Sequence, residues 1–183
     1  MCSSDLDRAR QYDVDVLDAP VSGGPGGAQQ GRLAVMVGGA AEAFELSRPA
    51  LERMGDLVLH LGPAGAGTAT KLARNLMHFA AFTAAMEASA LAEAAGIDPA
   101  TLGRIVRHSD AVTGGPGAIL YRDTTAPLGP DDPWRPIFEH VRALGEKDLT
   151  FALELAARFD VPAPLARLAL ERLAIGLGLE SDR

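Results

Sequence analysis

At 183 residues the chain is long enough for one core, or for two small domains that share an interface. A hydrophobic share of 48% against 22% charged excludes a disordered polymer, and a net charge of −7 leaves no basic footprint for nucleic acid or an anionic membrane. The single cysteine, Cys2, excludes an intramolecular disulfide and fits a reducing, cytoplasmic setting.

The opening Met1-Cys2-Ser3-Ser4-Asp5-Leu6 back-translates to the end of a common sequencing adapter, so residues 1–6 are expected to be non-native and native sequence to begin near Asp7. No basic region followed by an apolar one marks a leader peptide. Val14-Asp15-Val16-Leu17-Asp18 is a β-favouring run that ends in Ala19-Pro20-Val21 and a glycine cluster. Leu33-Ala34-Val35-Met36-Val37, closed by Gly38-Gly39, is continuously apolar and predicts a buried strand. Residues 41–54 predict a helix with Phe44, Leu46, Ala50, Leu51 and Met54 roughly on one face, and Gly55 ends it. Asp56-Leu57-Val58-Leu59-His60-Leu61 predicts another strand, stopped by Gly62-Pro63. Strand, helix and strand in that order imply a sheet with a helix packed across it.

The character then changes. Residues 66–95 predict a long helix rich in Ala, Leu and Met; its longest apolar stretch, residues 79–92, follows His78, is interrupted by Glu87, and is too short to span a bilayer. Gly96 ends the helix, and Asp98-Pro99 start the next as cap and first-turn proline. Residues 113–133 hold many of the glycines and prolines and predict a long functional or mobile loop, with Trp134 as its packing anchor. Helices follow over 137–159 and 165–177, separated by Val161-Pro162-Ala163-Pro164. The predicted division is a sheet-containing part, 1–65, and an all-helical part, 66–183.

Two constellations carry chemistry. In Asp18-Ala19-Pro20-Val21-Ser22-Gly23-Gly24-Pro25-Gly26-Gly27-Ala28 the glycines let backbone N–H groups converge into an anion nest, to which a serine hydroxyl can add. A carboxylate or phosphate is the natural guest; taken alone, the same residues make an equally good flexible turn. In Gly62-Pro63-Ala64-Gly65-Ala66-Gly67-Thr68-Ala69-Thr70-Lys71-Leu72-Ala73-Arg74-Asn75 a glycine turn leads into a helix with Lys71 and Asn75 at i and i+4, on one face. Most helical lysines are solvated surface residues. Position near the start of a largely apolar helix favours a lysine partly withdrawn from water, which can exchange a proton at neutral pH.

These residues resemble the β-hydroxyacid dehydrogenase family, which includes 3-hydroxyisobutyrate dehydrogenase and tartronate semialdehyde reductase. Asp18-Ala19-Pro20-Val21-Ser22-Gly23-Gly24, with Met36-Val37-Gly38-Gly39 downstream, resembles the family's substrate-binding segment. Residues 62–75 resemble its catalytic motif, and Lys147-Asp148-Leu149 its late lysine-aspartate segment near the cofactor. The likeness runs from about residue 13 to the end of the chain. It implies the C-terminal part of a Rossmann-type dinucleotide-binding domain, an α/β remnant of its sheet, followed by an all-α domain like the C-terminal domain of 6-phosphogluconate dehydrogenase. It further implies that Ser22, Gly23 and Gly24 hold a substrate carboxylate, Lys71 is the catalytic acid/base, and Asn75 helps fix the substrate. Lys147 would lie against NAD or NADP, and Asp148 would be structural.

The implied function is hydride transfer between a small hydroxy acid and its aldehyde or keto acid. The family's N-terminal G-x-G-x-x-G turn is absent from these 183 residues, and residues 110–133 depart from the familiar members, which leaves the substrate open. The alternatives are an imine reductase-like enzyme, against which Lys71 argues, and a non-catalytic interaction protein on the same fold. His60, His78, His108 and His140 lack metal-ligand spacing, so no metal is expected. The apolar faces around Phe79, Phe82 and Met86 suggest a core or a homodimer contact.

Overall fold

The run at 33–37 is the strand around which the sheet forms. In the computed structural model, which describes Tyr12, residues 14–120 and residues 122–180, three strands lie in the order β1 (Val21–Ser22), β2 (Ala34–Val37) and β3 (Leu57–His60). Residues 1–6, with the expected non-native start and Cys2, lie outside the described residues. β1 pairs antiparallel with β2, Val21 opposite Val35 and Ser22 opposite Ala34. β2 and β3 are parallel, with Val35 opposite Val58 and Val37 opposite His60. The helix α2 (Ala41–Leu51) makes the crossover that parallel pairing requires. Val35, Val37 and Phe44 are buried together, with Leu17, Val21, Leu51 and Val58 packed on them. Burial on both faces is what an unbroken apolar run demands, at about 1.5–3 kcal/mol for each large side chain.

Three expectations are corrected here. The run at 14–18 does not form a strand; it touches the sheet through a single bridge, Asp18 with Gly38, and β1 forms three residues later, in what reads as a turn. Pro20 has no N–H to donate to a ladder, and the chain pairs instead through its carbonyl, which accepts from Met36 N at 3.0 Å. The glycine cluster after Ser22 is not open loop either, since Gly24–Gln29 form the short helix α1. α2 stops at Leu51, short of residue 54, because its last turn tightens: Arg53 N donates to Ala50 O and Met54 N to Leu51 O.

The helical elements are α3 (Ala66–Ala94), α4 (Pro99–Thr113), a short 3₁₀ helix (Gly115–Ile119), α5 (Arg135–Arg158) and α6 (Pro164–Gly176). Asp98 caps α4 as expected, its carboxylate accepting from Ala100 N and Thr101 N. The loop expected at 113–133 carries the 3₁₀ helix and is tied down beyond it. Leu128 N donates to Gly178 O at 2.8 Å, and the Arg135 guanidinium donates to Leu128 O at 3.1 Å. Leu128, Phe138, Ala174, Leu177 and Leu179 are buried as one cluster, with Trp134 packed against it. Beside that cluster an open groove of about 850 Å³ is lined by Ile119, Trp134, Ile137, Val141 and Leu173.

The chain divides into two compact units, Met1–His78 and Phe79–Arg183, so that α3 begins in the first and ends in the second. Among the described residues no helix is long and apolar enough to cross a membrane, and no group of three or more His, Cys, Asp or Glu could hold a metal ion.

Candidate active site

Asp18 organises the first unit's site. Its backbone bridges to Gly38 in both directions, at 2.9 and 2.8 Å. Its side chain is 3% exposed, and the two carboxylate oxygens accept from Gly65 N and Thr68 N, each at 2.6 Å. Those N–H groups belong to the start of α3, which lacks intrahelical partners there. The residue before α3 is Gly65, which has no side-chain acceptor of its own. Burial pushes the Asp18 carboxyl up, but the hydrogen bonds from Gly65 and Thr68 outweigh it and hold the group below its ordinary 3.8.

The close fit continues along the backbone. A Cβ on Gly67 would stand 2.2 Å from Met36 O and 2.7 Å from Asp18 O, so α3 meets the sheet only because glycine is there. Gly23, at φ 139°, leads from β1 into α1, and a Cβ on it would press on the Leu33 side chain at 2.9 Å. His60, at the end of β3, is stacked on Phe44 with ring centroids 5.0 Å apart, and its Nε2 lies 2.9 Å from Gly39 O. It ties the strand ends together, a structural use of an isolated histidine.

On this frame Lys71 Nζ donates to Val21 O at 2.5 Å, from a half-buried position. Val21 precedes Ser22, so residues fifty positions apart in sequence place an ammonium at the edge of Ser22-Gly23-Gly24. Asn75, one turn further along α3, is also half-buried, and its Oδ1 accepts from Arg74 Nη1 at 3.2 Å. An ammonium has three N–H donors, and Val21 O uses one. Lys147 lies on α5 in the second unit, 54% exposed and ion-paired with the adjacent Asp148 at 3.2 Å. Exposed pairs of this kind contribute little stability.

The sequence argument picked Lys71 and Ser22 but gave Asp18 no role, although Asp18 joins them. The available signal was the glycine before α3: a helix start without its own capping side chain needs an acceptor from elsewhere.

Two family models divide the chain between them. Residues 4–62 match the NAD binding domain of 6-phosphogluconate dehydrogenase. Residues 65–180 match the NAD-binding domain of NADP-dependent 3-hydroxyisobutyrate dehydrogenase, which is more than half of the chain. The chain belongs to the 3-hydroxyisobutyrate dehydrogenase family. An uncharacterized oxidoreductase of Mycobacterium tuberculosis is 52% identical over 173 residues, covering 94% of this chain and 59% of the relative. A 3-hydroxyisobutyrate dehydrogenase of Pseudomonas aeruginosa is 37% identical over 168 residues, 85% of this chain and 52% of the relative. The crystal structure of an oxidoreductase from Mycobacterium avium 104 superposes with a TM-score of 0.93 at 50% identity, over 98% of this chain and 65% of that one. The chain thus spans about three-fifths of the length of its mycobacterial relative. The fold is the Rossmann-type domain with helical continuation that the resemblance implied.

Proposed function

We propose that these residues belong to an NAD- or NADP-dependent dehydrogenase that interconverts a small hydroxy acid and its aldehyde or keto acid, with Lys71 as general acid/base. The observation that carries this reading is the bond from Lys71 Nζ to Val21 O, which sets a proton-bearing group beside the Ser22-Gly23-Gly24 turn. Composition supports it: of 17 basic residues only Lys71 and Lys147 are lysines, and they stand at the two positions for which the resemblance implies a functional lysine. Every other cation is an arginine, which does not release its proton.

The residues present fit part of a nicotinamide nucleotide. The parallel strands β2 and β3 both run into glycines, Gly38-Gly39 and Gly62, at the carboxyl ends where such sheets bind ligands. Gly65 opens onto free space, with no described atom within 4 Å of where a Cβ would stand. These glycines would border the nicotinamide end, and Lys147 would supply a charge to the nucleotide. When bound, the cofactor takes or delivers the hydride.

The chain's own residues do the rest. Backbone N–H groups at Gly23 and Gly24, with the Ser22 hydroxyl, hold the substrate carboxylate. Asn75 orients the reacting oxygen. In the reductive direction Lys71 gives a proton to the oxygen that becomes the hydroxyl; in the oxidative direction it takes that proton as the C=O bond forms. A cation aimed at the developing alkoxide supplies charge stabilisation together with the proton.

In this reading residues 1–65 complete the dinucleotide-binding domain, and 66–183 are the helical substrate and dimerisation domain of a cytoplasmic homodimer. The dimer is supported by apolar side chains in water along α3, with Leu76 76% and Met86 70% exposed. The test is a chimera that places the N-terminal part of the Mycobacterium tuberculosis relative ahead of residues 7–183. It should oxidise 3-hydroxyisobutyrate or a similar short hydroxy acid with NAD or NADP, and Lys71→Ala should lower kcat about 10²–10⁴-fold. Lys71→Arg should be nearly as poor. Parental turnover in folded Lys71→Ala would refute the assignment. Residues 7–183 alone, without the glycine turn that holds a pyrophosphate, should bind either nucleotide no tighter than about 1 mM by calorimetry.

A further inference from the structure

We propose that Asp18 is a positioning residue: its buried carboxylate clamps the first turn of α3 to the segment that carries Ser22, and so sets the Lys71 ammonium against the carbonyl of Val21. Three contacts converge on this. Both carboxylate oxygens are used, one on Gly65 N and one on Thr68 N. The same residue's backbone is held by Gly38 on β2's continuation. Gly67, between the two clamped amides, brings α3 so near Met36 O and Asp18 O that no side chain fits. Lys71 follows Thr68 by three residues, and Val21 follows Asp18 by three, so the two short arms from the clamp meet at the Lys71–Val21 bond.

The chemistry requires a carboxylate. Two N–H donors 2.6 Å from two oxygens are matched by an acceptor-only group. In Asp18→Asn one of those oxygens becomes an NH₂, which turns a donor toward a donor and frees one amide of the turn. The first turn of α3 then loses half of its tie, and Lys71 loses its fixed distance from Ser22.

The chain's two lysines make the test direct. In the 183-residue protein, brief labelling with an amine-acylating reagent, read by peptide mass spectrometry, compares Lys71 with Lys147, which is 54% exposed and serves as internal standard. The parent should label Lys71 at least tenfold more slowly than Lys147. Asp18→Asn, with parental circular dichroism, should bring Lys71 to within about threefold of Lys147 while Lys147 itself is unchanged. An unchanged Lys71 rate in the folded variant overturns the proposal. Should the variant fail to fold, amide exchange in the parent decides: protection of Gly65 and Thr68 comparable to Met36 supports the clamp, and loop-like exchange overturns it.

The consequence for turnover rests on the Lys71 reading above. In the chimera, Asp18→Asn should lower kcat tenfold or more with KM changed less than threefold. Loosened labelling with parental kcat would leave the clamp standing and sink the catalytic role of Lys71 instead.

Discussion

The two compact units hold their parts in opposite ways. In the first, backbone meets backbone: Gly55, Gly38 and Gly67 each stand where a Cβ would collide with a carbonyl oxygen or amide nitrogen of a neighbouring segment, and a buried carboxylate caps the helix that follows. In the second, helices meet through side chains, with a small buried cluster around Phe138 and Leu177 and long apolar stretches left in water. Backbone contacts of the first kind fix a distance to within a few tenths of an ångström, which a proton-transfer group needs. Side-chain contacts of the second kind can be repacked or shared with another chain. The difference teaches that the first unit is held by contacts that admit no added atom and the second by contacts that can adjust.

The largest effect should come from Gly55→Ala. Its Cβ would fall 1.8 Å from Leu33 O, a backbone atom that cannot yield without moving β2. A loss of about 3 kcal/mol or more is expected, seen as a collapsed thermal transition of the first unit. A parental melting temperature would mean that this close packing is not what holds the sheet.

Met86→Glu probes the other unit. At 70% exposure the substitution should leave a monomer's stability within about 0.5 kcal/mol. If α3 is part of a dimer surface, sedimentation at micromolar concentration should instead show the parent as dimer and the variant as monomer. A monomeric parent would remove association from the comparison.

Acid sharpens the role of Asp18. Its folded carboxyl titrates below 3.8, so the stability it contributes is fully present above 3.8 and is lost as pH falls through the lower folded value. Asp18→Asn has nothing to titrate at that position. The gap in denaturant midpoint between parent and variant should therefore be widest at neutral pH and narrow toward about pH 2. A gap independent of pH would show that the charge plays no part.

The smallest effect, opposite in sign to the first, belongs to Gly176→Ala. This glycine ends α6 with no described atom within 4 Å of a Cβ. The same substitution that ruins position 55 should here stabilise by about 0.4–1 kcal/mol, through a less flexible unfolded chain. Destabilisation would reveal a contact on α6 that the folded unit does not account for.

Much of this was legible along the chain. The apolar run at 33–37, the β-α-β order, the Asp98-Pro99 start and the Gly96 stop are local signals, carried by hydrophobic periodicity and by residues with restricted backbone choices. The family resemblance located Lys71 and Ser22 as separate motifs. The run at 14–18 misled because β propensity describes a half-buried surface, not a backbone preference, and its pairing was settled by Pro20 and by Gly38.

By itself, then, the sequence determined most of the helices and two of the three strands, which family the chain resembles, and that Lys71 and Lys147 are its two lysines. Only the tertiary structure decided that Lys71 meets Val21, that Asp18 rather than a local cap starts α3, and that Gly55 and Gly67 are irreplaceable. The physical reason is range. Propensity, capping and periodicity act over a few residues, whereas these contacts join positions tens of residues apart and exist only once the chain has closed the intervening loops.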